Sequence, residues 1–175
     1  SIMKFGFVVL ALSAAALSAC STVETPQAQA IGKLQATSGS KVAGDVKFIQ
    51  LANGRVVLNA VVSGLTPNSE HGFHIHEKGN CADNGNAAGG HFNPKGGSHG
   101  KFDATMHHMG DLPSLKADSN GVAKLNMESH DLTLLDGPGN IIGRGLIVHA
   151  NPDDYVTQPT GNAGGRIACA VIERN

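Results

Sequence analysis

The sequence contains no tryptophan and one tyrosine, and only 15% of its 175 residues are charged. Lysine and arginine number 13 against 14 aspartate and glutamate, a formal net charge of -1, so no basic excess is present to neutralise the phosphates of a nucleic acid. The hydrophobic content of 41% is sufficient for a core, which argues against a disordered chain. At this length we expect one domain around one core.

Long apolar runs are absent as well. Residues 5–19 carry no charge and follow Lys4, but fifteen residues are fewer than the ~20 that span a bilayer. A basic start, a short apolar run and then small residues are typical of a bacterial export signal. The run ends in the letters LSAC, which resemble a lipobox, so residues 1–20 are predicted to be a signal peptide and Cys20 the lipidated first residue of the mature protein. The alternative is an ordinary signal peptide cleaved after Ala30.

The segment behind the lipobox has no periodicity, so residues 21–30 are predicted to form a flexible tether. Lipoproteins that carry serine after the lipidated cysteine, as at Ser21, usually reach the outer membrane. The expected location is therefore the bacterial cell envelope, in the periplasm, with membrane contact only through the lipid at Cys20.

From residue 31 onward, short runs rich in valine, isoleucine and leucine alternate with glycine, asparagine and aspartate. No stretch shows a sustained helical period, and Asn53-Gly54 is a strong hairpin signal between two runs. The predicted strands cover residues 31–37, 42–51, 55–65, 72–76, 112–117, 122–127, 145–150 and 166–172. Strands at this spacing predict an all-β antiparallel sandwich or barrel.

Two segments break this rhythm, residues 77–110 and residues 151–165, which are rich in glycine and too irregular for strands. Long ordered loops are usually functional, so these two segments are candidates for the site.

Histidine is abundant, with nine in the chain. The spacing of two between His74 and His76 places both imidazoles on one face of a predicted strand. Such a pair alone is weak evidence for a metal site, but further candidate ligands follow at His91, His99, His108, Asp111 and His149. Six histidines and one carboxylate are enough for two metal ions, and imidazole suits both copper and zinc.

Five segments in order carry a resemblance to a known family. They are HGFHIHE at 71–77, GHFNP at 90–94, HMGDL at 108–112, GRGLIVH at 143–149 and GNAGGRIAC at 161–169. They resemble the signature segments of copper-zinc superoxide dismutase in its bacterial exported form, over residues 31–175. The resemblance implies an eight-stranded antiparallel Greek-key β-barrel or sandwich with two long functional loops. It also implies an enzyme that protects the envelope by converting superoxide to dioxygen and hydrogen peroxide through Cu(II)/Cu(I) cycling, with one copper and one zinc ion per subunit.

The same resemblance assigns roles to single residues. It implies that the copper ligands are His74, His76, His91 and His149. It implies that the zinc ligands are His91, His99, His108 and Asp111. His91 would bridge both ions and supply a proton, and Arg166 would attract and orient the anion beside the copper. Asp153 would hydrogen-bond one ligand of each metal, His74 and His99.

Three further expectations concern the remaining residues. The resemblance implies a disulfide between Cys81 and Cys169 and a structural role for His71. His107 and His130 match nothing in the family and are expected to be solvated. The spacing around Cys81 resembles bacterial rather than animal forms, so both a monomer and a homodimer stay open.

Residues 155–165 carry no charge, unlike the corresponding loop of animal relatives. Any steering of the anion is therefore expected from Lys78, Lys95 and Lys101 in the other loop. The alternatives to an enzyme are a non-catalytic copper- or zinc-binding envelope protein on the same fold and a structural sandwich without a metal.

Overall fold

The computed structural model describes residues 25–175 together with Ile2, so Cys20 and the rest of the predicted signal peptide lie outside the described residues. Among the described residues, no helix is long and apolar enough to cross a bilayer. The all-β prediction is confirmed, since residues 25–175 form nine strands and one three-residue 3-10 helix, Asn86–Ala88. The strands are β1 (Ala28–Ala36), β2 (Ala43–Gln50), β3 (Val56–Ser63), β4 (Glu70–His71), β5 (Phe73–His76), β6 (Leu115–Lys116), β7 (Ala123–Ser129), β8 (Gly145–His149) and β9 (Arg166–Arg174).

Seven of the strands form one antiparallel sheet in the order β5-β8-β9-β1-β2-β3-β7, and β4 pairs with β6 in a second, two-stranded sheet. The larger sheet curls into a half-barrel, consistent with the Greek-key barrel that the resemblance implies. Buried and more exposed residues alternate along β3, where Val56, Leu58, Ala60 and Val62 are buried. One face of the sheet therefore packs on the core that the curled sheet surrounds.

Predicted strand ends differ from the observed ones by up to three residues, and the start of β1 is one of the largest differences. β1 begins at Ala28 rather than at residue 31, because Ala28 pairs with Gln50 and Ala30 is buried at 1% exposure. β1 therefore begins inside the segment predicted to be a tether.

The strand predicted over residues 72–76 is β5, which begins at Phe73, and a separate two-residue strand, β4, ends at His71 just before it. The break falls at Gly72, whose N–H donates to Asn151 O instead of a ladder partner. A Cβ at this position would lie 2.8 Å from the Ala163 Cβ, so only glycine lets the second long loop approach so closely. The chain thus changes its strand partner immediately before the His-x-His pair.

Strand β5 is buried on both faces, and the two faces differ in chemistry. Phe73 and Ile75 point into the barrel core, where they pack among the buried side chains of the other strands. His74 and His76 point to the opposite face and are equally inaccessible, at 0% exposure. Because strand side chains alternate, the core residues hold the two imidazoles in place beneath the long loops.

Candidate metal centre

Backbone pairing brings the predicted ligands together. His74 and His76 lie on β5, which pairs with β8, and His149 ends β8 at a register shift after Val148. Isolated bridges then join His76 to His91 and His74 to Asp111, so each histidine of β5 has one loop residue paired beside it. The ligand atoms of His74, His76, His91 and His149 all lie within 4.8 Å of one another.

One ring nitrogen of each strand histidine is already engaged. The Nδ1 of His76 lies 2.8 Å from Gly89 O, and that of His149 lies 3.2 Å from Gly164 O. Carbonyls accept, so each of these Nδ1 atoms carries the proton and the Nε2 atoms have lone pairs. The two Nε2 atoms nevertheless face each other at 3.3 Å. Two acceptors at this distance cannot hydrogen-bond, but both could bind one cation.

Two further nitrogens in the same space have no partner. His74 Nδ1 and His91 Nε2 are buried and form no hydrogen bond. A buried polar atom without a partner costs roughly 1–3 kcal/mol. A metal ion between the four rings would satisfy both orphaned nitrogens and the facing Nε2 pair, and an all-imidazole set suits copper. The donor set therefore fits a copper ion.

A second cluster adjoins the first through His91. Its Nδ1 lies 3.0 Å from Asp111 Oδ1 and 3.1 Å from His108 Nδ1. The Nδ1 of His99 lies 3.0 Å from the same Asp111 oxygen, and His108 Nδ1 lies 3.5 Å from it. Ligands about 2.0–2.2 Å from a tetrahedral zinc ion are about 3.3–3.5 Å apart, so these separations fit zinc with a slight expansion.

His74 also falls within the second cluster, whose mutually close ligand atoms belong to His74, His91, His99 and Asp111. His74 Nε2, however, lies 2.7 Å from Asp153 Oδ2, and its Nδ1 is one of the orphaned atoms of the first cluster. His108, whose Nδ1 faces both His91 and Asp111, is therefore the better fourth member of the second cluster.

Asp153 joins the two clusters from behind. Its Oδ2 accepts from His74 Nε2 at 2.7 Å and its Oδ1 accepts from His99 Nε2 at 2.8 Å. Hydrogen bonds of this kind fix the tautomer of each ring and turn the opposite nitrogen toward the metal. The hydrogen bonds from these two histidines keep the pKa of the Asp153 carboxyl below its usual range despite its burial.

Three histidines of the first cluster, His76, His91 and His149, are held neutral. Burial lowers the pKa of His149 to about 3 and the pKa of His91 to about 4, with neighbouring His74 adding to both shifts. Burial also lowers the pKa of His76 well below 6.5, with His91 as the next cause. Neutral imidazole is the form that binds metal, so these rings need not lose a proton at pH 7.

Two groups of the second cluster, His99 and Asp111, are charged instead of neutral. Burial alone would lower the pKa of His99, but its hydrogen bonds to Asp111 and Asp153 outweigh burial and raise that pKa to about 9. Burial likewise opposes ionisation of Asp111, yet hydrogen bonds from His108, His91 and His99 keep its pKa far below the usual range. The carboxylate is therefore charged before any cation arrives.

Arg166 begins β9 beside the first cluster, paired across the sheet with His149. Its guanidinium donates to two carbonyls, from Nη1 to Gly85 O at 2.7 Å and from Nη2 to Gly89 O at 2.6 Å. Gly89 O is also the acceptor of His76 Nδ1. The guanidinium of Arg166 and the imidazole of His76 thus hydrogen-bond the same backbone carbonyl.

The predicted disulfide is confirmed between Cys81 and Cys169, whose Cα atoms are 5.7 Å apart. His71 accords with a structural role, since Nδ1 lies 2.7 Å from His149 O and Nε2 lies 2.7 Å from Ser69 Oγ. His130 is exposed as expected. His107 is not, because its side chain is only 15% exposed and its Nδ1 donates to His108 O.

Two residues that contact the site, Arg144 and Gln158, were not identified as site residues from the sequence. Arg144 stacks its guanidinium 4.0 Å from the centre of the Phe92 ring and donates to Glu77 O, so it contacts the neighbours of His91 and His76. Gln158 contacts the backbone of His99. Each acts on a residue far away in the chain, so neither spacing nor periodicity predicts it.

The chain is similar to proteins of one family. Residues 42–172 match the family model for copper/zinc superoxide dismutase. A Cu-Zn superoxide dismutase of Paramecium bursaria Chlorella virus 1 is 44% identical over 137 residues, which cover 75% of this chain and 72% of the relative. An extracellular Cu-Zn superoxide dismutase of Onchocerca volvulus is 40% identical over 154 residues, covering 82% and 75%.

Among solved structures, the crystal structure of the clock protein EA4 superposes with a TM-score of 0.76 at 34% identity, over 98% of this chain and 99% of that one. The family match extends across the strands and loops that carry both histidine clusters, and the chain belongs to the copper/zinc superoxide dismutase family.

Proposed function

We propose that this protein is a superoxide dismutase, which converts two superoxide anions and two protons to dioxygen and hydrogen peroxide. The observation that carries the proposal is the convergence of four histidines with two orphaned buried nitrogens beside a second, carboxylate-containing cluster. Copper bound in the first cluster supplies the chemistry by alternating between Cu(II) and Cu(I), and zinc in the second stabilises the site.

The copper ligands in this proposal are His74, His76, His91 and His149. The zinc ligands are His91, His99, His108 and Asp111. The support for both sets is the direction of the free nitrogens, because backbone carbonyls and Asp153 occupy the outward nitrogen of His74, His76 and His149. His91 is the exception, with Nε2 toward the first cluster and Nδ1 toward the second. This arrangement supports the role of His91 as the bridging ligand.

His91 Nε2 is also the proposed proton donor to peroxide. The Nε2 of His91 is buried without a hydrogen-bond partner and faces the first cluster, so it is the ring atom placed to carry a proton to a peroxide formed there. Zinc-side contacts at Nδ1 keep the ring in place while Nε2 exchanges its proton.

Arg166 is the proposed anion-orienting residue. Its bonds to Gly85 O and Gly89 O occupy two donors and leave others of its five free. The Arg166→Ile variant is expected to lose at least about tenfold in turnover because the fixed charge is removed. Its copper and zinc contents should match those of the wild type. Unchanged turnover with full metal content would contradict the role.

The test of the activity itself compares the protein loaded with copper and zinc against its metal-free form in a superoxide dismutation assay. The loaded protein is expected to be active and the metal-free protein inactive. Stoichiometric copper binding without dismutation would instead identify a metal-binding envelope protein on this fold.

We further propose that residues 1–20 are a signal peptide, that Cys20 carries the lipid, and that the enzyme works in the periplasm, anchored to the outer membrane. The position of β1 supports this reading over cleavage after Ala30, which would remove residues paired with β2 and expose a strand end. The remaining tether is then residues 21–27. Mass spectrometry of the mature protein should find an acylated Cys20, and an N-terminus at Ile31 would rule the anchor out.

A further inference from the structure

Among the proposed zinc ligands, His99 has the least support from its own backbone. It lies in a stretch without strand or helix and is flanked by Gly97 and Gly100. Glycine neighbours leave the unfolded or metal-free segment with many conformations, so ordering it is costly. The other three ligands are held locally. His91 and Asp111 form bridges with β5, and the N–H of His108 donates to Asp111 Oδ2 at 2.8 Å.

The N–H of the next residue, Gly100, donates to Asp111 Oδ2 at 3.1 Å, and the peptide groups of His99 itself are held by one side chain from the second long loop. The His99 N–H donates to Gln158 Oε1 at 2.7 Å, and Gln158 Nε2 donates to His99 O at 2.9 Å. Within residues 25–175 these are the hydrogen bonds that the His99 backbone makes. A pair of opposed bonds with one residue is the arrangement by which an antiparallel strand holds its partner. The side-chain amide of Gln158 therefore hydrogen-bonds the His99 backbone as one residue of a neighbouring antiparallel strand would.

Gln158 is itself held by its loop, so it can transmit this order. Its Nε2 also donates to Val156 O at 3.1 Å. The residues on either side close a tight turn, in which Gly161 N donates to Thr157 O at 2.7 Å and Thr157 N donates to Asp154 Oδ1 at 2.8 Å. The side-chain amide is thus presented at a fixed position, and little of its binding free energy is spent on ordering.

The backbone of the same loop packs directly on the imidazole of His99. A Cβ at Gly161 would lie 1.9 Å from Asp153 Oδ1 and 2.5 Å from His99 Nε2, and Gly161 has a φ of +70°. No other residue type fits there without displacing the hydrogen bond between Asp153 and His99. Two contacts of the loop, one on the peptide and one on the ring of His99, therefore converge on the same ligand.

We propose that Gln158 is a positioning residue of the zinc site, which fixes the peptide of His99 so that its Nδ1 faces Asp111 while its Nε2 faces Asp153. The proposal rests on the assignment of His99 as a zinc ligand. It gives the second long loop, residues 151–165, a function in this chain, which is to hold a zinc ligand in place. The consequence is selective, since His76 and His149 are held by strands and do not contact Gln158.

The experiment measures zinc affinity by chelator competition on the metal-free protein and copper affinity on the zinc-loaded protein. Gln158→Ala is expected to weaken zinc binding about 10–100-fold, the usual effect of removing a partner that orients a ligand. Gln158→Glu keeps an acceptor for the His99 N–H and loses the donor to His99 O, so a smaller loss, roughly 3–10-fold, is expected. Copper affinity should change less than twofold in both. The matched control is Gln35→Ala, at an exposed position on β1.

A general structural role would lower the stability of the metal-free protein and weaken both metals together, which would overturn the proposal. Zinc binding by Gln158→Ala equal to that of the wild type would overturn it as well. If Gln158→Ala does not fold, the intermediate affinity of Gln158→Glu carries the test, and wild-type affinity there counts against the proposal. His99→Ala tests the ligand assignment separately from the role of Gln158. Undiminished zinc binding in that variant would show that His99 is not a zinc ligand.

Discussion

The metal centre combines two kinds of ligand. We call His74, His76 and His149 the strand-borne ligands, because they lie on β5 and β8 and are positioned by the antiparallel ladder between these strands. We call His99, His108 and Asp111 the loop-borne ligands, because they lie in the long segment between β5 and β6. The strand-borne ligands are placed by backbone pairing, whereas the loop-borne ligands depend on side chains such as Asp153 and Gln158.

The two kinds also differ in charge. Burial keeps the pKa of the strand-borne His76 and His149 low, so these two rings are neutral near pH 7. The loop-borne group carries an ionised Asp111 and a His99 whose pKa is raised to about 9. A rigid, neutral side suits an ion that must change its oxidation state in place. A side that is assembled from loops and contains an ionised carboxylate suits an ion whose binding stabilises those loops.

Removal of one strand-borne ligand is expected to have the largest effect and to separate the two kinds of ligand most clearly. His76→Ala should weaken copper binding by more than about 100-fold, beyond the effect expected for an outer partner, and abolish dismutation. Zinc affinity should stay within a few-fold, because His76 Nε2 faces His149 and not the loop-borne group. Metal analysis and the Cu(II) EPR spectrum measure both, with exposed His130→Ala as the control. Full copper occupancy in His76→Ala would contradict the ligand assignment.

The covalent tie between loop and strand gives the next largest effect. Replacing Cys81 and Cys169 by serine removes a crosslink between residues 88 apart in sequence. The free energy of unfolding of the metal-free protein should fall by about 2–5 kcal/mol. Urea denaturation measures this. The wild type under reducing conditions should lose the same amount, and an unchanged midpoint in both would show that the crosslink does not stabilise the fold.

Asp153 tests the point at which the two sides are coupled. Asp153→Ala removes the acceptor of both His74 Nε2 and His99 Nε2, so zinc and copper should each bind about 10–100-fold more weakly. Affinities from chelator competition check this, with the exposed Asp136→Ala as the control. An effect on zinc alone would mean that the strand-borne His74 is oriented by its ladder without the carboxylate.

The pH dependence of metal binding should differ between the two sides. At pH 7 the metal-free His99 is protonated, because its pKa is about 9, so zinc must displace a proton. Zinc affinity should therefore rise by up to about tenfold per pH unit between pH 7 and 9. Copper binding to the zinc-free protein should lack this rise, since His149 with a pKa of about 3 and His91 with a pKa of about 4 are already neutral and neither has to lose a proton. Calorimetry in buffers of different ionisation enthalpy counts the released protons, and none released on zinc binding would refute the difference.

The smallest effect concerns long-range steering. Lys95 lies 3.4 Å from Asp131, which offsets its charge, and residues 155–165 carry no charge at all. We therefore expect the dismutation rate to fall only a few-fold between low ionic strength and about 0.15 M salt, where charges beyond about 8 Å are screened. Lys78→Gln and Lys101→Gln should each lower the rate at low salt by less than twofold. A steep salt dependence would show that lysines of the first long loop do attract the anion.

Sequence patterns predicted the strand-borne side better than the loop-borne side. The spacing of two between His74 and His76 follows directly from the alternation of a strand, and β5 has this alternation. The loop-borne residues have no such rule, so their grouping was expected only from a family resemblance. The start of β1 at Ala28 and the break at Gly72 escaped prediction, because each depends on the partner that the chain meets there.

His107 and Gln158 illustrate the same limit. His107 was expected to be solvated, but packing of its own loop covers most of the ring. Gln158 hydrogen-bonds a peptide group, which every residue possesses, so nothing in the sequence identifies His99 as its partner.

By itself, the sequence determined the all-β class, the strand that carries two imidazoles on one face, and the ordered motifs that identify the family, because these depend on periodicity and local residue type. Tertiary structure alone decided which nitrogen of each histidine is free, how Asp153 joins the two clusters, and which glutamine secures His99. The last two features arise where segments more than fifty residues apart meet, and hydrogen-bond direction there is set by the folded backbone rather than by local sequence.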